Sequence, residues 1–234
     1  MNKTAIAGLG ILMLTALTAC GPAQTPGGTG STTSTATTAP ATTAPKDGPA
    51  TIPLSAYLQK ADTKSPDDPN VVTEAALPPF CGASYPSSSQ RRVAETRYMR
   101  YYTKPPTGQT PDGTIRQTIA TFTGDGGTRF VAEIKAAAKG CPEEKISRTV
   151  YKNKLLTPQP HGDETLLIER TYPVLDVDDK PTGGTEVRLI AVVRIGNVVT
   201  VLYETGWERG WSAEPATMQA LTIAAEQRLR AWLG

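Results

Sequence analysis

Apolar and polar residues alternate along six stretches of this chain and recur at helical spacing along three others. A strand turns successive side chains to opposite faces, whereas a helix gathers every third or fourth residue on one side. Leu54, Tyr57 and Leu58 share helical spacing and predict a short first helix over 52–58. Over 92–103, Tyr98, Arg100 and Tyr102 point one way and Arg97, Met99 and Tyr101 the other, which predicts a strand. A second strand over 114–123, rich in β-branched and aromatic residues, follows a loop of prolines and Asp112-Gly113. Thr128 reads as the N-cap of a helix over 129–139, closed by Gly140, with Phe130, Ile134, Ala137 and Ala138 on one face. Strands are predicted over 145–155 and 165–174, and then comes the clearest pair, 187–195 and 198–205, joined by Gly196-Asn197. A two-residue turn with Gly first fits type II′ and sets Ile195 against Val198, Val193 against Thr200 and Ala191 against Leu202. Both faces of that hairpin are apolar, so it belongs in the middle of a sheet. Ser212 reads as the cap of a last helix, with Met218, Leu221, Ala225, Leu229 and Trp232 as its buried stripe. The expectation is an α+β domain: a mainly antiparallel six-stranded sheet with helices on its faces.

Two segments before this pattern have no place in a core. Lys3 followed by thirteen apolar-biased residues, 5–17, is too short for a transmembrane helix, which needs roughly 18 or more, and has the shape of a signal peptide. It ends in Leu17-Thr18-Ala19-Cys20, which resembles the lipobox of bacterial lipoproteins. That resemblance implies a leader over 1–19, a diacylglyceryl group on the Cys20 thiol and anchoring in the membrane lipid. An ordinary secretory signal followed by a chance Cys is the alternative. Residues 20–50 are then almost wholly Gly, Pro, Ser, Thr and Ala. Without large apolar side chains they cannot offset their own ordering entropy, and they read as a disordered stalk spanning about 30 Å as a coil. The folded domain is expected over 51–234.

Composition narrows the function classes. A formal net charge of +2 over 234 residues gives no electrostatic case for a nucleic-acid partner. Besides Cys20 there are two cysteines, Cys81 and Cys141, and in an exported chain an even pair reads as a disulfide. A metal site competes poorly, since His161 is the only histidine and zinc wants three or four ligands.

Catalytic signatures are missing. There is no G-x-S-x-G elbow, and Gly124-Asp125-Gly126-Gly127 lacks the Lys and Ser/Thr of a P-loop. His161 reads as a solvated loop residue, Glu143-Glu144 as an exposed pair, and Asp176, Asp178 and Asp179 as a turn without the Gly and distal Glu of a calcium loop. Trp207, Trp211, Arg100 and Tyr102 are the most ligand-like side chains, aromatic walls with a few polar groups being the stuff of small-molecule pockets. No cofactor is expected.

The Cys20 lipobox, the Thr/Pro stalk, a helix ending in Gly140-Cys141-Pro142, the late apolar hairpin and the C-terminal amphipathic helix together carry a resemblance. They are similar to actinobacterial lipoproteins with the extracellular sensor domain of PknH-type Ser/Thr kinases, or with related PsbP-like domains, over 71–234. The resemblance implies a non-catalytic domain outside the cytoplasm that binds a small ligand or an envelope glycolipid in a cleft between the sheet and its loops. Docking on a membrane protein such as a transporter or kinase is the second reading, and a carboxylate-dependent hydrolase the third. Such sensor domains commonly carry two disulfides, and this chain can form one.

Overall fold

The computed structural model describes residues 46–104, 110–178, 180–208 and 211–234. The expected leader, Cys20 and most of the expected stalk lie outside the described residues. Residues 46–49 run against the sheet: the Gly48 N–H donates to the Phe122 carbonyl (2.8 Å), and the Thr121 hydroxyl donates to Pro49 O (2.7 Å).

A single antiparallel sheet organises the domain. Its strands are β1 (Asn70–Val72), β2 (Arg91–Tyr101), β3 (Gly113–Phe122), β4 (Glu143–Ile146), β5 (Thr149–Leu156), β6 (Glu164–Leu175), β7 (Pro181–Ile195) and β8 (Val198–Gly206). Their spatial order is β1-β2-β3-β8-β7-β6-β5-β4, with every neighbouring pair antiparallel. The predicted hairpin, β7 and β8, holds the centre with the expected register, Ile195 opposite Val198 and Ala191 opposite Leu202. Gly196 alone takes a positive φ (56°) in its turn, as type II′ requires.

The six expected strands are eight among the described residues. The stretch 145–155 is a hairpin, not one strand: Ile146 lies opposite Thr149 across Ser147-Arg148, and Ser147 reaches a φ of 54° without being glycine. β1 is three residues long and adds to the edge at β2, where Asn70 pairs with Tyr98.

Two helices cover opposite faces. α2 (Gly126–Gly140) turns Phe130, Val131, Ile134 and Ala138 onto Ala120, Phe122, Ile168, Ile190, Val192, Val199 and Val201. α3 (Pro215–Leu233) lays Met218, Leu221 and Ala225 on Met99, Ile115, Leu189, Ala191 and Leu202. Each large side chain buried this way contributes roughly 1.5–3 kcal/mol.

Both helices begin where distant partners dictate. α2 starts at Gly126 rather than after a Thr128 cap, because Asn197 of the β7–β8 turn accepts the Gly127 N–H on Oδ1 (3.1 Å). Its glycines permit that approach, since a Cβ on Gly127 would stand 3.0 Å from the same oxygen. Ser212 does not cap α3: its Oγ accepts the Val187 N–H (3.0 Å), and the helix starts at Pro215. The expected first helix is only a 3₁₀ turn over Leu54–Ala56, since the Leu58 N–H goes instead to the buried Gln117 side chain (2.8 Å). One turn of helix, α1 (Lys60–Thr63), follows and ends at Lys64 with φ 52°.

Cys81 and Cys141 form the expected disulfide, tying the 3₁₀ turn Phe80–Gly82 to the end of α2. No helix among the described residues is long and apolar enough to cross a membrane.

Candidate functional site

The α2 face of the sheet is apolar only near the β7–β8 turn. Toward the far ends of the strands, the positions that continue this face change abruptly to arginine, tyrosine and threonine. Strand registry lines them up. Asn153 on β5 lies opposite Arg170 on β6, which lies opposite Arg188 on β7. Across β8, Thr205 lies opposite Thr114 on β3, which lies opposite Arg100 on β2. The next row toward α2 carries Tyr203, Arg116 and Tyr98.

Each of these four guanidinium groups lies over an aromatic ring. Arg170 is 4.3 Å from the Tyr151 ring centre, Arg116 is 5.1 Å from Tyr203, Arg188 is 5.3 Å from Tyr172, and Arg100 is 5.9 Å from Trp207. Each also meets a carboxylate: Glu144 holds Arg170 (2.9 Å), Glu186 holds Arg188, Glu74 holds Arg116 and Asp67 holds Arg100. Glu144 is thus buried in this cluster and not part of an exposed pair. It also accepts the Cys81 N–H on Oε2 (2.9 Å). Burial, with the Glu186 hydrogen bond, pushes the Tyr172 phenol up, and burial does the same for Tyr203. Both rings therefore keep their protons at neutral pH.

Two open hollows flank Trp207. One, of about 590 Å³, is bounded by Lys60, Asp67, Asn70, Tyr98 and Arg100. The other, of about 410 Å³, is bounded by Thr149, Tyr172, Leu175, Glu186 and Arg188. Trp207 lines both and is 40% exposed.

The structure therefore brings Trp207 and Arg100 together and places the other two candidates elsewhere. Trp211 lines neither hollow, but its backbone carbonyl accepts a hydrogen bond from Arg188 Nη1 (2.6 Å). Tyr102 is buried just past the end of β2, where its N–H donates to Thr63 O (2.8 Å). Arg116, Arg170 and Arg188, which sequence reasoning did not single out, complete the set of four.

Trp207 is held by its neighbour in the chain. A Cβ on Gly206 would stand 2.1 Å from the Trp211 backbone oxygen. Gly206→Ala should force the segment carrying both tryptophans off the sheet end, destabilising the domain by about 1–3 kcal/mol. Thermal unfolding and a red shift in tryptophan emission check this; unchanged emission would show that Gly206 does not position the segment.

Other chemistry-bearing residues lie apart from this face. His161 is not solvated, for its Nδ1 meets Glu226 on α3 at 2.9 Å. Burial pushes the Glu226 carboxyl up, but the Gly162 N–H, Arg230 and His161 outweigh it and hold it below the usual range. Asp176 accepts the backbone N–H groups of Asp178 and Lys180 (2.8 and 2.9 Å), which is the chemistry of a turn. Asp179 lies outside the described residues. Among the described residues, one group of metal-ligand types gathers, Cys81, Cys141 and Glu144, and both of its sulfurs are bound in the disulfide.

No family model matches the chain, and no curated protein does. Among solved structures, the fold is similar to that of the extracellular domain of PknH from Mycobacterium tuberculosis. The TM-score is 0.50, at 13% identity, and the match covers 75% of this chain and 93% of that one. At that identity the likeness is one of fold, a PknH-type sensor-like arrangement of sheet and helices.

Proposed function

We propose that this chain is a membrane-anchored binding protein, tethered through Cys20 and facing outside the cytoplasm, whose sensor-like domain holds a small ligand or a glycolipid headgroup around Trp207. The observation that carries this reading is the placement of one exposed indole between two hollows of about 590 and 410 Å³, each with an arginine at its wall. An aromatic shelf with a few oriented polar groups binds a flat or ring-shaped molecule; it offers little to an acyl chain. The fold shared with an extracellular domain supports the same placement outside the cell. Non-catalytic binding fits the carboxylates. Asp67, Asp68 and Glu186 at the hollows are each paired with a cation, Arg100, Lys60 and Arg188, rather than with one another across a cleft. General acid–base or nucleophilic work by two carboxylates needs them facing across the substrate.

Native mass spectrometry of the full chain extracted from its own membrane tests this. The expected result is a retained small-molecule mass that Trp207→Ala abolishes, together with the added mass of a lipid on Cys20. A retained mass indifferent to Trp207→Ala, or a polypeptide in its place, would overturn the site reading.

A further inference from the structure

Four arginines on one sheet face are not required by the fold. Like charges directly opposite on neighbouring strands destabilise a sheet, and Arg170 and Arg188 stand directly opposite while almost wholly buried, at 3% and 7% exposure. Local choices that work against the fold mark functional places. The carboxylates that neutralise the four fall into two kinds. Glu144 and Glu186 are buried at 8% and 4%, and they come from within the sheet. Such buried partners are fixed, because removing one would strand a charge in low dielectric.

Asp67 and Glu74 differ. They come from the segment that leads into and out of β1, on the sheet's edge, and their side chains are 44% and 76% exposed. An exposed ion pair contributes only about 0–1 kcal/mol, so its carboxylate yields readily to a better anion. The arginines they cover, Arg100 and Arg116, are diagonal neighbours on β2 and β3, since Arg100 lies opposite Thr114 and Arg116 two residues on. Diagonal Cβ atoms on adjacent strands are about 7–8 Å apart, within reach of one another for long side chains. Two guanidinium groups at that spacing can converge on a single tetrahedral anion. Both are already held beside an aromatic ring, Arg100 at Trp207 and Arg116 at Tyr203, which leaves the N–H forks less to lose on binding.

We infer that Arg100 and Arg116 form a phosphate-binding site whose ligand is a phosphorylated sugar, free or as the headgroup of a lipid, and that Asp67 and Glu74 occupy the site as internal mimics until the phosphate displaces them. The inference rests on the reading of Trp207 as the binding platform. The phosphate engages the two guanidinium groups by charge-assisted, bidentate hydrogen bonds. The sugar ring stacks its C–H face on the Trp207 indole, and Asn70 and Lys60 at the wall of the same hollow offer donors to its hydroxyls.

Isothermal titration of the full chain in neutral detergent, with glucose 1-phosphate, glucose and dihexanoyl phosphatidylinositol as probes, tests it. Saturable binding of at least one phosphorylated probe and none of glucose is expected. Arg100→Gln should weaken that binding at least tenfold, and Asp67→Asn with Glu74→Gln should tighten it several-fold, because the competing carboxylates are gone. If these two were merely pins for the β1 segment, their removal would leave affinity unchanged or lower, and the inference would fall. A tenfold preference for the lipid probe over glucose 1-phosphate assigns a headgroup as the source; equal affinity assigns the free sugar phosphate. Glucose binding as well as its phosphate, with Trp207→Ala abolishing both, would overturn the phosphate site and leave the platform standing. Phosphate binding untouched by Trp207→Ala would overturn the platform itself.

Discussion

Loss of the Cys81–Cys141 bridge is expected to cost the domain about 4 kcal/mol, the chain-entropy value for a closed loop of this size. The bridge spans a sequence separation of 60 and joins the Phe80–Gly82 turn to the end of α2. Cys81 itself sits at φ 47°, a left-handed conformation that favours glycine, so the turn would relax once released. For a domain of this length, a loss of that size lowers the melting temperature by roughly 8–16 °C. Thermal unfolding with and without reductant, and of Cys81→Ser/Cys141→Ser, measures it; unchanged melting would show that the bridge does not hold the fold.

The same cut reaches the binding face. Glu144 accepts the Cys81 N–H with one oxygen and holds Arg170 with the other. Reduction is therefore expected to loosen the turn whose N–H helps to position the carboxylate that pairs with Arg170. The bridge is thus a support for the arginine row as well as a staple for the chain, and the double-serine variant should bind any Trp207-dependent ligand more weakly even at temperatures where it remains folded.

How much of this was legible in the sequence depended on whether the governing contact was local. The β7–β8 hairpin was readable because its turn residues and its alternation are neighbours in sequence, and they agree on one register. Helix α2 was readable by its stripe, but its start was not, since the capping oxygen belongs to Asn197, 70 residues away. The β4–β5 turn went unseen because Ser147 takes a positive φ with no Gly or Asn to announce it. The arginine row was legible only one residue at a time. Arg100 stands out beside its tyrosines, whereas Arg116, Arg170 and Arg188 sit on strands that meet only once the order β2-β3-β8-β7-β6 is known. A signal was present even so: on several strands, the face that packs under α2 changes from aliphatic to arginine or tyrosine at a common level.

Replacing Glu204 by Gln should stabilise the domain at pH 8 and leave it nearly unchanged at pH 4. Glu204 lies on the opposite, α3 face of β8, fully buried, and accepts a hydrogen bond from the Tyr101 hydroxyl on Oε1 while Oε2 accepts none. Burial pushes its carboxyl from 4.5 up to about 7, against smaller downward pulls from Tyr101, the Glu214 backbone N–H and Arg188. Below pH 4.5 the group is protonated in the folded and unfolded chain alike, and it adds no pH-dependent cost. As pH rises from 4.5 toward 7, the unfolded chain releases the proton and the folded one keeps it, so stability falls; above 7 the loss is complete, on the order of 3 kcal/mol by the free energy of a pKa difference. Glutamine keeps an acceptor for Tyr101 and carries no charge to desolvate, so it escapes this loss. Urea unfolding of both proteins at the two pH values should show a gap of up to about 3 kcal/mol at pH 8 that closes at pH 4. An equal gap at both would assign the effect to packing instead of charge. Glu204 precedes Thr205 of the arginine row and lies three residues before Trp207, so a carboxylate forced to ionise there strains the strand end that presents the indole. Any ligand bound through Trp207 should on that account be held more tightly by Glu204→Gln at pH 8.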